Sequence, residues 1–183
     1  MGTFVAIAIF AVVVIGVVGW AISTSNRFRT LLVKIQESDS GIDVALTKRF
    51  DTLTKLADVV RAYAKHESET LSKLVGLRSG AGIAEKSELS RQMDEATVKI
   101  RAIAESYPEL HSSENYRQLQ DAIMDAEDFL QAARRVYNMN VSSFNQAIVQ
   151  FPASMIANNA HYQPKEFFAA ESSKREDVSI NLA

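Results

Sequence analysis

The sequence predicts an all-α protein: an N-terminal transmembrane helix followed by a long antiparallel helical bundle. Three observations lead there. The first 26 residues carry no charge, and Phe4 to Ile22 is unbroken apolar residues and glycine. Beyond them, apolar residues recur at alternating steps of three and four, the period of a helix with one buried face. Seven glycines and three prolines in 183 residues leave little of the punctuation that a sheet protein needs.

At about 1.5 Å rise per residue, the apolar run reaches the roughly 30 Å of a bilayer's hydrocarbon core. Lipid offers no hydrogen-bonding partner to the backbone, so one continuous helix is expected there. The rival reading is a cleaved secretory signal, which calls for a basic N-terminal region and a shorter core. Met1-Gly2-Thr3 supplies neither lysine nor arginine, so an uncleaved anchor is expected. Myristoylation at Gly2 would want Ser or Thr where this chain has Ala6. Trp20, Arg27 and Arg29 are the expected membrane-interface residues: an indole suits the headgroup level, and cations follow just past it with Lys34. Those cations all lie on the C-terminal side, which predicts the N-terminus outside and the body in the cytoplasm. Arg27 and Arg29 read first as stop-transfer flanks, and second as contacts to anionic headgroups. The predicted division is residues 1–26 as anchor, 27–170 as helical bundle and 171–183 as C-terminal tail.

All 20 Lys+Arg and 22 Asp+Glu lie in the body, for a net charge of −2. That balance lacks the basic excess of a nucleic-acid protein. Cysteine is absent, which removes disulfides, thiol chemistry and thiolate metal sites. Ile42, Leu46, Leu53, Leu56, Val60, Tyr63, Leu71, Leu74 and Leu77 form the first stripe, with Asp39 or Ser40 as a cap if the helix restarts after a bend near Ser38–Gly41. Ser79-Gly80-Ala81-Gly82 predicts a turn. A second stripe holds Leu89, Met93, Ala96, Ile100 and Ile103, with Glu85 and Glu88 suited to a helix start, and ends at Tyr107-Pro108. The third stripe is the longest: Tyr116, Leu119, Ile123, Ala126, Leu130, Ala133, Tyr137, Val141, Phe144, Ile148 and Phe151. Ser112 or Ser113 is its expected cap and Pro152 its stop. Three such helices bury their stripes by packing together, with Phe50, Tyr137, Phe144 and Phe151 as expected packing residues. Phe167-Phe168 is expected to fold back on the bundle. Val178, Ile180 and Leu182 alternate as an edge strand would.

No catalytic or cofactor site is expected. His66, His111 and His161 lie far apart, and the second histidine of a zinc-protease helix after His66-Glu67 would fall at Thr70. No phosphate-binding loop follows Ser79–Gly82, where Ile83 and Ala84 stand. Asp125 and Asp128 are one turn apart and offer a divalent-cation reading, against the plainer one of a solvated face, with Arg134-Arg135 two turns on as candidate ion-pair partners. Aromatic residues sit on the seams and not among cations, so no base-stacking platform is indicated.

The runs Lys48-Arg49-Phe50-Asp51, Tyr63-Ala64-Lys65-His66-Glu67, Tyr107-Pro108-Glu109-Leu110, Glu114-Asn115-Tyr116, Ala132-Ala133-Arg134-Arg135-Val136-Tyr137-Asn138, Phe144-Asn145, Phe151-Pro152 and Phe167-Phe168 in that order resemble the LemA family of bacterial membrane-anchored helical proteins. Two departures stand out. Thr54-Lys55 replaces a frequent Pro-Asn, so the first helix is expected to continue unkinked, and the tryptophan common before Ile42-Asp43 is missing. The resemblance implies a trough-like helical bundle behind one spanning segment in a bacterial cell membrane, a link to membrane organisation or remodelling, and no catalytic residue or cofactor. The functional expectation is a non-enzymatic scaffold or adaptor that self-associates at the lipid bilayer as a homo-oligomer, with a further protein partner unidentified. The alternative is a tethered receptor holding a peptide or small ligand in a trough lined by Arg134, Asn138 and Asn145.

Overall fold

The computed structural model describes residues 1–63 and 82–169. Helix α1 runs from Gly2 to Tyr63, α2 from Ile83 to Glu105, α3 from Pro108 to His111, α4 from Glu114 to Val149 and α5 from Ala153 to Asn159. No strand occurs among the described residues. Leu71, Leu74, Leu77, His66, the Ser79–Ala81 part of the turn, the Val178–Leu182 segment and the tail 171–183 lie outside them.

The helix does not restart near Ser38–Gly41. α1 is one helix through Gly41 and through Thr54, so neither Asp39 nor Ser40 caps a restart. Asp39 instead reaches across to Lys86, and the Ser38 hydroxyl donates back to the Lys34 carbonyl at 2.8 Å, which leaves the helix intact. Thr54 bonds the Phe50 carbonyl in the same way. The other ends follow local chemistry. At the start of α2, the Glu85 carboxylate accepts the Gly82 amide at 3.2 Å. The ring of Pro108 opens α3, where its missing N–H costs nothing. The Ser113 hydroxyl accepts the Tyr116 amide and so caps α4.

The described residues form two packed units, 1–38 with 138–166, and 39–63 with 82–137 and 167–169. In the first, Thr24, Phe28, Ile35 and Ser38 of α1 are buried, as are Val141, Phe144, Ala147, Ile148 and Ala157. Tyr162 lies edge-on to both Phe28 and Phe144, with ring centroids at 5.4 and 5.9 Å. The Asn140 amide donates to the Lys34 carbonyl and to the Ser38 hydroxyl. The Asn145 side chain pairs with both backbone groups of Lys165, at 2.9 and 2.8 Å. Asn140 of α4 meets Lys34 and Ser38, and Phe144, one turn on, shares Tyr162 with Phe28 earlier in α1, so the two segments are antiparallel.

In the second unit the buried positions are Ile42, Ala45, Leu46, Leu53, Leu56, Ala57 and Val60 on α1, Met93, Ile100 and Ala104 on α2, Leu110 on α3, and Tyr116, Ile123, Ala126, Leu130 and Tyr137 on α4. α1 and α2 run in the same direction, since Asp39 and Asp43 meet Lys86 while Arg49 meets Ser90 and Asp94. α4 opposes both: it meets Arg49 through Glu127 and Arg101 through Gln120. The stripes state which face of each helix is buried; they do not state its direction.

Several expected packing positions differ. Tyr137 and Phe144 are buried, Phe50 is half-buried, and Phe151 is 82% exposed. α4 stops at Val149, before Phe151, which removes that ring from the helical seam. Tyr63, at the end of α1, is exposed. On α2 the buried line is Lys86, Ser90, Met93, Thr97, Ile100 and Ala104, whereas Leu89, Ala96 and Ile103 flank it half-buried. Of the aromatic pair, Phe168 folds in and Phe167 stays exposed.

Candidate membrane anchor and buried ion clusters

The first part of α1 is an apolar helix with nothing packed on it. Every side chain from Met1 to Trp20 is exposed, including Phe4, Ile7, Phe10 and Ile15. A globular core would hide such residues, because each buried aliphatic side chain is favourable by about 1.5–3 kcal/mol. α1 is long and apolar enough to cross a membrane. Trp20, 40% exposed, sits near the end of that stretch, and Arg27 and Arg29 are exposed about two turns beyond. Buried positions begin at Thr24, so helical packing starts where the apolar run ends.

The second feature is a set of charges inside the second unit, which the apolar stripes do not mark. Arg49 is only 3% exposed. Its Nη2 pairs with Asp94 and lies 2.8 Å from Glu127, while Nη1 approaches the carbonyl and hydroxyl of Ser90, each at 3.4 Å. One planar fork thereby joins α1, α2 and α4. Arginine suits this because its donors are fixed in a plane that two carboxylates can share. Gln131 donates to the other oxygen of Glu127 at 2.9 Å. Arg49 Nε is buried with no acceptor among the described residues.

Lys86 forms the second cluster. It stands in the first turn of α2, where the helix dipole disfavours a cation. Asp39 and Asp43, one turn apart on α1, offset this with oxygens at 2.7 and 2.8 Å. Burial works to lower the Lys86 pKa, but the two carboxylates together outweigh it, and the net shift is upward. On the solvent side of α2, hydrogen bonds from Arg91 and then Gln92 hold the Glu88 carboxyl at about 2. Burial raises the Tyr116 phenol on α4.

A third cation, Arg134, is buried on α4. It does not pair with Asp125 or Asp128, which are exposed. Its guanidinium stacks 4.8 Å from the Phe168 ring centroid and donates to the Ala169 carbonyl at 2.9 Å. Ala169 also donates to Ser87 on α2. The chain after α5 is thus tied to α2 and α4. Arg134 and Asn145, two of the three residues expected to line a ligand trough, spend their polar groups on this chain's own backbone. Among the described residues no three His, Asp or Glu side chains gather to hold a metal ion, and His111 and His161 are exposed.

A signal for the buried cations was present in the spacing. Position 49 completes the three- and four-residue steps between Leu46 and Leu53, as 134 does between Leu130 and Tyr137. Reading polar residues at seam positions as core, and not as gaps, would have found both.

The sequence model of the LemA family matches residues 38–182. Protein LemA of Metamycoplasma hominis is 31% identical over 153 residues, 81% of this chain and 70% of that protein. Magnetosome protein MamQ of Magnetospirillum gryphiswaldense is 27% identical over 73 residues, covering 40% of this chain and only 27% of its own length. Magnetosome protein MamQ 2 of Paramagnetospirillum magneticum is similar at 26% over the same extent. With the family match covering more than half of the chain, all of α2 to α5 included, this chain belongs to the LemA family.

Proposed function

We propose that the protein is a non-enzymatic scaffold anchored in a bacterial cell membrane by the first part of α1, with its N-terminus outside and its helical body in the cytoplasm. One observation carries this reading: a single helix supplies both an apolar segment that nothing covers and buried positions of each packed unit. The body's inward charges support it, because Arg49, Lys86 and Arg134 all serve to join helices or tie down the chain. Similarity to proteins named for the magnetosome agrees with a role at a membrane.

The scaffold self-associates in this proposal. Phe129 and Val136, two turns apart on α4, present apolar surface to the outside, and confinement to a membrane plane raises the effective concentration of copies. Light scattering of the detergent-solubilised chain should give a protein mass at a multiple of 20.2 kDa. A clean monomer at micromolar concentration would overturn self-association.

A further inference from the structure

The chain contains a second stretch without Lys, Arg, Asp or Glu, from Val136 to Pro164. Within the first unit it comes beside the end of the apolar segment. Asn140 is level with Lys34–Ser38, and Tyr162 joins Phe144 to Phe28, so α4 runs antiparallel to α1. From Asn140 to Val149 a helix travels about 14 Å. The same distance along α1 from Gln36 leads to Arg27, and buried positions of this unit continue to Thr24. The turn joining α4 to α5 is therefore level with Arg27, about 7 Å past the end of the apolar run at Ile22.

That turn exposes three large apolar side chains together. Val149 is 68% exposed, Phe151 82% and Met155 64%. Between them stand Gln150, Pro152, Ala153 and Ser154, none of them charged. Arg27 and Arg29 are exposed at the same level on α1. A cluster of apolar tips beside cations is the composition that enters the boundary between headgroups and acyl chains.

We propose that the α4–α5 turn inserts Val149, Phe151 and Met155 into the same bilayer leaflet from which α1 emerges, giving the body a second point of attachment. The proposal rests on the membrane-spanning reading of α1. The occupant is lipid, because the patch continues the level of the anchor and lacks the charges that give a protein interface its polar rim.

Tryptophan fluorescence in phosphatidylcholine–phosphatidylglycerol vesicles separates the possibilities. The full chain carrying W20F and F151W should show blue-shifted emission, lose intensity to lipids brominated near the glycerol, and resist aqueous acrylamide. The parent chain, with its single Trp20, reports the span by the same quenching. If Trp20 is quenched by brominated lipid while the F151W probe is quenched by acrylamide alone, the anchor stands and this proposal falls. If neither probe responds to brominated lipid, both readings fall. Shielding of F151W from both quenchers would mean that another copy covers the turn, which also overturns it. M155W in the W20F background repeats the measurement in the first turn of α5, should a substitution next to Pro152 lower the helical content.

Discussion

Arg49 occupies a place in the α1 seam where Leu or Ile would be expected, and its burial is tolerable only because two carboxylates and Ser90 meet it. Removing one partner of a buried pair typically costs about 3–5 kcal/mol. Asp94 and Glu127 remain partly exposed, so water softens the loss. R49M should therefore destabilise by about 3 kcal/mol, the low end of that range, in thermal or urea unfolding of the solubilised chain followed by circular dichroism. R49M combined with D94L and E127L should recover most of it, since an apolar trio of similar volume leaves no stranded charge. Failure of the triple variant to recover would mean that the fork specifies the packing and does not merely tolerate it. Lys86 gives a pH test. Its pKa lies above the ordinary lysine value, so the folded state holds the proton more tightly than the unfolded state. Its contribution is complete below the unfolded pKa of about 10.4 and is lost as pH rises through the higher folded value. The stability gap between the parent and K86M should stay constant from pH 7 to about 10 and then narrow. Exposed Asp43 and partly exposed Asp39 keep solvent access in K86M, so the variant should still fold. A gap that widens with alkali would contradict the sign.

The helices themselves show which parts of the sequence could be read. α4 was legible almost residue by residue, because Tyr116, Ile123, Ala126, Leu130, Tyr137, Val141, Phe144 and Ile148 keep a strict spacing and all are buried. α2 was displaced by part of a turn. Its apolar residues Leu89, Ala96 and Ile103 drew attention, but Lys86, Ser90 and Thr97 take the inner line. Thr97 does so by bonding the Met93 carbonyl at 2.8 Å, a local satisfaction that a hydropathy pattern does not record. The continuity of α1 was half-legible. Lack of proline allowed it, while Ser38, Ser40 and Gly41 argued for a break that the packing of Ile35, Ile42 and Ala45 on either side overrides. Gly41 is thus a residue of low helix propensity inside a helix, and a Cβ built there meets nothing within 4 Å. G41A should stabilise the chain by about 0.5–1 kcal/mol, mostly by restricting the unfolded backbone. A destabilising outcome would mean that this turn of α1 bends in solution.

For the whole molecule, two uncharged stretches carry the membrane reading, and only the first is long and apolar enough to be read as a membrane element from the sequence. The N-terminal run announces itself by length and hydropathy. The turn around Phe151 looked like the end of a seam, because a linear pattern does not reveal that α4 closes at Val149 and brings its last residues beside the start of the body. Phe168, in contrast, was expected inside and is held there by Arg134. The proposed orientation across the membrane rests on the cations alone. Arg27, Arg29 and Lys34 lie beyond the apolar run and no lysine or arginine precedes it, so the C-terminal side should face the cytoplasm. A C-terminal reporter active only in the cytoplasm should therefore be active on the parent chain. Arg27 and Arg29 are exposed, so replacing them leaves the buried positions of the first unit untouched. Combining R27Q and R29Q with T3K removes the cationic excess of the C-terminal flank, leaving one lysine on each side. Charge close to a spanning segment biases insertion, whereas carboxylates contribute little, so Glu37 and Asp39 should not rescue the original topology. Reporter activity should fall in the triple variant at equal protein level. An inactive reporter on the parent chain would reverse the assignment, place the body outside the cytoplasm, and change the set of partners that a scaffold of this kind can meet.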